Sequence, residues 1–163
     1  MNNLLIVGAG QYSSVVLEIV NEMNCFDKID FLDDNSSKAV GKISEMSSFV
    51  KDYKSAVCAI GNNQLRVEIT NKLIEVGFEV PALVSSKASV SPSAKIEEAV
   101  IVEPMAVVQA NAVVSKATLV CAGAVVKHNA VVEQGCYLDC NCVVSAGVRV
   151  QSITKIESNV NFK

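Results

Sequence analysis

The chain has no tryptophan, and aromatic residues make up only 5% of it although 50% is hydrophobic. A globular core of that apolarity is ordinarily filled with rings. An interior of alanine, valine and cysteine suits a narrow solenoid, where each coil admits only small or β-branched side chains. Long apolar runs are also missing. None approaches the roughly 20 residues that carry a helix across a bilayer, so no membrane insertion is expected. Met1 to Gly10 lacks a positive start and is broken by glycine, so it reads as a strand and turn rather than a signal peptide. Basic charge is scarce: 14 Lys and Arg stand against 17 Asp and Glu, for a net charge of −3, and no basic stripe appears. Nucleic acid is therefore not an expected partner. The six cysteines form no C-x-x-C pair. Without a secretion signal they are expected to be reduced thiols in a cytoplasmic protein.

What the chain does have is a strict six-residue period. Every sixth position from Val90 is bulky and apolar, through Ile96, Val102 and Val108 to Val150, Ile156 and Phe162. Two residues before each stands a small or β-branched residue, among them Ala88, Ala94, Ala106, Ala124, Ala130, Cys136 and Cys142. This is neither the period of a helix nor that of a strand, and it marks a parallel β-helix of hexapeptides. Three hexads close a triangular turn, so residues 18 apart stack, and residues 88–163 make about four coils. Gly123, Gly135 and Gly147 share one hexad position, where a tight corner can use positive φ.

The first half follows another rhythm. Leu4 to Val7, Ile29 to Leu32 and Ala56 to Ile60 read as strands, with Val80 to Val84 as a fourth extended stretch. Val15, Val16, Ile19, Val20 and Met23 recur at helical spacing, as do Leu65, Val67, Ile69, Leu73 and Ile74 ahead of a C-capping Gly77. Ile43 to Tyr53 reads as a weak helix. The expected architecture is an α/β Rossmann-like domain with a small parallel sheet over residues 1–84, followed by a β-helix domain over 85–163.

Ligands of open parallel sheets bind at the carboxyl ends of the strands. Those ends carry Gly8-Ala9-Gly10-Gln11-Tyr12-Ser13, Asp33-Asp34 and Gly61-Asn62-Asn63. The glycines let a phosphate approach backbone N–H groups, the aspartates can accept from a ribose hydroxyl or a base N–H, and the asparagines offer both donors and acceptors. The same glycines serve equally as a tight turn with ordinary helix caps. NAD is disfavoured because the second half of a dinucleotide fold is missing, and a mononucleotide or nucleotide sugar fits the size better.

The only histidine, His128, falls two residues after the inward Val126 and two before the inward Ala130, which places it at an outward corner. An imidazole serves as general base at neutral pH, although an outward histidine is also a common solvated or interface residue. Cys136 and Cys142 occupy inward positions, Cys121 and Cys140 are expected to be exposed, and no metal is expected because consecutive hexads lie on different faces. Glu97, Glu98 and Glu103 read as a solvated face.

Several segments resemble the PglD/NeuD-type sugar acetyltransferases, of the left-handed β-helix hexapeptide family. They are Ile6 to Ser13, Phe31-Leu32-Asp33-Asp34, Ala59-Ile60-Gly61-Asn62-Asn63-Gln64-Leu65-Arg66, Ser91-Pro92-Ser93-Ala94 and Ala122 to Asn129. The resemblance implies a left-handed coil and an acetyl-CoA-dependent N-acetyltransferase for a nucleotide-linked amino sugar in surface-glycan biosynthesis. It also implies a homotrimer with active sites between subunits. His128 would be the general base, with Asn129 beside it where the family usually has an acidic residue. Gly8, Gly10, Gln11, Tyr12, Asp33, Asp34, Gly61 and Asn62 would hold the nucleotide sugar. Tyr137, where the family often has histidine, would meet the coenzyme with Ala146 and Gly147, whose N–H groups would receive the thioester oxygen. Glu133, one hexad on, is a further candidate partner of His128. Relatives that continue with glycine-rich coils cover the coenzyme's far end, so a shorter coenzyme seat is expected here. An O-acetyltransferase, or a non-catalytic nucleotide-sugar-binding or assembly protein, remains the alternative.

Overall fold

In the computed structural model, which describes residues 2–163, the chain divides into two units at Pro81–Ala82. The first unit is built on strand β1 (Asn3–Val7), whose five residues are all buried. It lies between β2 (Lys28–Leu32) and β3 (Ser55–Cys58) in a three-stranded parallel sheet of order β2-β1-β3. A central parallel strand is covered on both faces, which is why Leu4, Leu5, Ile6 and Val7 run without alternation. Helix α1 (Tyr12–Met23) buries Val16, Ile19 and Val20, and ends at Asn24 in the left-handed region at φ 47°. Between β2 and β3 the chain forms a 3₁₀ turn over Ile43–Phe49 rather than an α-helix.

Helix α2 (Asn63–Val76) is capped at both ends. The Asn62 side chain accepts the Leu65 N–H at 2.9 Å. At the other end Gly77, at φ 108°, donates to Leu73 and Ile74, as its place after the last apolar residue led one to expect. The buried face differs from the sequence reading. Val67, Ile69 and Leu73 turn inward with Arg66 and Thr70, while Leu65 and Ile74 are exposed. An arginine is amphipathic enough to enter a core if its guanidinium finds carbonyls, and Arg66 does.

Leu83–Val84 does not join the first sheet. It pairs with Ile101–Val102 and opens the second unit. That unit contains fourteen two-residue strands among the described residues, in three parallel sheets that form the faces of a prism. The first face runs from Leu83–Val84 to Lys155–Ile156, the second from Ser89–Val90 to Asn161–Phe162, and the third from Lys95–Ile96 to Arg149–Val150. Pairing joins residues 18 apart, as in Val125 with Val107 and Val143. The second residue of each strand points inward, and its ladder of valines packs with Ala106, Ala112, Ala124, Ala130, Cys136 and Cys142 in one continuous core.

The corners repeat as strictly as the strands. Every sixth residue from Ala99 to Asn159 has φ between 58° and 71°, including Asn111, Gly123, Asn129, Gly135, Asn141 and Gly147. The shared glycine position is thus a left-handed corner that asparagine fills as readily. Ile153 occupies it too, at φ 65°, an unfavourable place for a β-branched side chain.

The corners also correct two expectations. Glu97 and Glu103 are not simply solvated: their carboxylates accept the backbone N–H groups of Lys116 and Ala122 on the next coil, at 3.2 and 3.0 Å. Glu98 is exposed as expected. Cys121 is buried rather than exposed, and burial pushes its thiol well above the usual range.

Candidate active site

In the first unit the three strand ends do different work. Gly8 sits at φ 98°, and a Cβ there would lie 3.0 Å from the Ile60 side chain and 3.3 Å from the Ala59 carbonyl oxygen. Its role is to let β1 pass against β3. A Cβ at Gly10 or Gly61 would meet nothing within 4 Å, so open space lies beside both. Gly10 and Gln11 line a cleft of about 490 Å³ with Ala9, Ser13, Ser14, Leu17, Phe31 and Lys38.

Asp33 does not offer a free carboxylate to that cleft. It accepts the N–H of Ala9 at 2.8 Å and those of Asn35 and Ser36 at 2.9 Å. These bonds, the Ala9 bond foremost, hold its carboxyl below the usual range. The aspartate ties the glycine turn after β1 to the loop after β2. Asp34 accepts the Ile43 N–H at 3.0 Å and faces a second depression with Ser44, Met46, Ile69 and Lys72. Tyr12 starts α1 with its hydroxyl oxygen buried.

At the third strand end Asn62 is spent on its cap, and Arg66, only 1% exposed, clamps the turn. The Arg66 guanidinium donates to the carbonyls of Ile60 and Gly61 at 3.1 Å and to Asn63 Oδ1 at 2.9 Å. This part for Arg66, and the places of Phe31 and Lys38 in the cleft, are not apparent from the sequence. Lys38 is one of two lysines in the loop after β2, with Lys42, and only the fold directs it back to Gly10.

In the second unit His128 stands exposed on the corner between the second and third faces. Its N–H donates to Gln109 Oε1 at 3.1 Å, and its carbonyl accepts the Gly147 N–H at 3.1 Å. Asn129 is the left-handed corner residue, at φ 58°, and its N–H donates to the Ala110 carbonyl at 3.0 Å. Backbone geometry alone therefore accounts for an asparagine there.

One coil on, Ala146 and Gly147 are not equivalent. The Gly147 N–H is consumed by His128. The Ala146 N–H occupies the place that Gln109 caps one coil earlier, but the residue beneath it is Lys127, whose ammonium cannot accept. Among the described residues nothing accepts the Ala146 N–H. A donor is thus left available on the coil next to His128.

Glu133 and Tyr137 are not brought to this corner. Glu133 lies at the next one, bound to Arg149 Nη1 at 3.0 Å and to the Ser152 N–H and hydroxyl at 3.0 Å. Arg149 above all holds its carboxyl low. Tyr137 is on the first face, beneath Lys155 at 5.7 Å from the ring centre. No group of three potential metal ligands gathers among the described residues.

Residues 3–73 match the family described as the PglD N-terminal domain. No curated protein matches the chain. Among solved structures, a mutant of perosamine N-acetyltransferase from Caulobacter crescentus, in complex with CoA and GDP-perosamine, superposes with a TM-score of 0.91 at 22% identity, over 96% of this chain and 78% of that one. The acetyltransferase domain of PglB from Neisseria gonorrhoeae, in complex with acetyl coenzyme A, gives 0.83 at 28% identity, over 97% and 86%. WeeI from Acinetobacter baumannii gives 0.67 at 15% identity, over 97% and 94%.

Proposed function

We propose that this chain, whose first unit is of the PglD type and whose β-helix is that of the sugar acetyltransferases, is an acyltransferase that moves the acetyl group of acetyl-CoA to the amine of a nucleotide-linked amino sugar. The observation that carries the reading is the corner of the coil, where an exposed imidazole and an uncapped backbone N–H come from adjacent coils. That pair fits the coenzyme's reactive end, since thioester aminolysis needs a base for the amine and a donor for the carbonyl oxygen.

His128 removes the proton from the amine as its nitrogen bonds to the thioester carbon. The Ala146 N–H receives the charge that gathers on the carbonyl oxygen. As the carbon–sulfur bond breaks, His128 returns the proton to the departing thiolate, so the side chain ends as it began. The coenzyme supplies only the activated acetyl group. The base contributes roughly 10²–10⁴-fold and the N–H a comparable factor.

The nucleotide part of the substrate belongs to the first unit, in the cleft beside Gly10, Gln11 and Lys38. Helix-start N–H groups and one lysine suit a diphosphate, and Phe31 offers a ring to a base or sugar. Partly exposed valines support the trimer: Val107, Val125 and Val143 face outward on the second face, and Val113 and Val131 on the third. These two faces flank the His128 corner, where a neighbouring copy would complete the site. A cytoplasmic place in surface-glycan biosynthesis accords with such a substrate.

The test is direct. Purified protein with acetyl-CoA and a panel of UDP-, dTDP- and GDP-linked amino sugars should release free thiol. His128→Ala should lower kcat by at least roughly 10²-fold with substrate KM little changed. Full activity in that variant would remove His128 from the reaction. Sugar binding by calorimetry without thiol release would favour a non-catalytic binder.

A further inference from the structure

Four corners of the prism use one device: a side chain reaches up and accepts the backbone N–H nineteen residues on. Glu97 accepts from Lys116 at 3.2 Å, Glu103 from Ala122 at 3.0 Å and Glu133 from Ser152 at 3.0 Å. At the fourth, Gln109 accepts from His128 at 3.1 Å. The three structural corners use a carboxylate. The corner that carries the imidazole uses a neutral amide.

We propose that Gln109 is a positioning residue for His128, which anchors the histidine backbone to the coil below while keeping negative charge away from the ring. The inference rests on the reading of His128 as the general base.

The surroundings make the choice consequential. The stacked corner positions around His128 are Ser91, Gln109, Lys127, Ser145 and Lys163 before it, Pro92, Ala110 and Ala146 in its own column, and Ser93, Asn111, Asn129 and Gly147 after it. The charged groups among them are Lys127 and Lys163. The outward residues of the second face are Ser89, Val107, Val125, Val143 and Asn161, all uncharged. Those of the third face are Lys95, Val113, Val131 and Arg149. Lys95 and Arg149 are paired with Glu97 and Glu133 at the far corner. No side-chain carboxylate therefore stands on the histidine's corner or flanks it. A glutamate at 109 would make the same backbone bond and introduce the one anion that favours the imidazolium. A base must be neutral to work, so the amide preserves the anchor and the reactive form together.

Two variants separate the two parts. Gln109→Met keeps length and removes the acceptor. Gln109→Glu keeps the acceptor and adds charge. Because the chain has one histidine, its ring resonances in the NMR spectrum belong to His128 alone. In Gln109→Glu the ring should titrate roughly 0.5–1 pH unit higher than in the wild type, and the acid limb of kcat/KM should move up with it. In Gln109→Met kcat should fall roughly 2- to 10-fold with both KM values unchanged, the range that one hydrogen bond supplies, and the His128 amide should exchange faster. A ring that titrates at the wild-type pH in Gln109→Glu would overturn the electrostatic part. A His128 amide that exchanges at the wild-type rate in Gln109→Met would overturn the anchoring part. A wild-type protein that acetylates nothing would overturn the base reading instead, while titration and exchange would still decide on Gln109.

Discussion

Ile153 is the residue least suited to its place. Its backbone lies at φ 65° in a series otherwise filled by glycine, asparagine, alanine and one methionine. A β-branched side chain there costs about 1–2 kcal/mol. Ile153→Asn is expected to gain about 1 kcal/mol and raise the melting temperature by roughly 2–4 °C in a thermal scan. A second residue-scale expectation concerns Asp33. Three backbone N–H groups depress its carboxyl in the folded state, so the stability it adds is present above the unfolded value near 3.9 and is lost as pH falls through the lower folded value. Denaturant titrations of wild type and Asp33→Asn should therefore differ by a constant amount from neutral pH to about pH 5, begin to converge below about pH 4, and close the gap only below the depressed folded value. Neither role was legible in the chain. A six-residue period names the corner but not the sign of φ at an isoleucine, and an aspartate after a strand looks the same whether it meets a ribose or its own backbone.

At the scale of elements, periodicity was informative and its exceptions carried the local chemistry. From Val90 onward the hexads located every strand of the coil because one inward position in six is a stringent steric rule. The weak helix expected over Ile43 to Tyr53 is a 3₁₀ turn over Ile43–Phe49, and the stretch at Leu83–Val84 went to the coil because its partner, Ile101–Val102, lies 18 residues on. Helix α2 hid an arginine where leucine was expected, since two carbonyls of the turn before it and the side chain of its first residue, Asn63, satisfy the guanidinium. The same turn supplies the cap. Asn62→Ala should cost about 1 kcal/mol, read as a lower denaturation midpoint with an unchanged m-value. It should also loosen the third strand end while leaving the coil intact.

For the molecule as a whole, composition pointed early to a solenoid, because a chain without tryptophan and rich in valine and alanine has little else to build. The candidate site was only partly legible. The period placed His128 on an outward corner and the family resemblance pointed to Ala146, whereas Lys38 and Gln109 needed the fold to show which loops and corners meet. If the valine-bearing faces meet their counterparts, the 17.3 kDa chain should elute and scatter as a species of about 52 kDa. Val125→Glu and Val131→Glu, on outward positions of the two faces, should return it to the monomer mass with thiol release abolished.

The uniform 18-residue pairing bears on how the prism comes to exist. Leu119 meets Tyr137 and Val131 meets Arg149 at the same separation, so each new coil closes a loop of the same length as the last. Winding can start at any coil and spread to its neighbours, each step meeting the same entropic barrier. A half-wound chain ends in a triangular rim of unpaired backbone groups, and such a rim accepts a coil from another molecule as readily as its own. Synthesis that outpaces winding would thus favour exchange of coils between nascent chains.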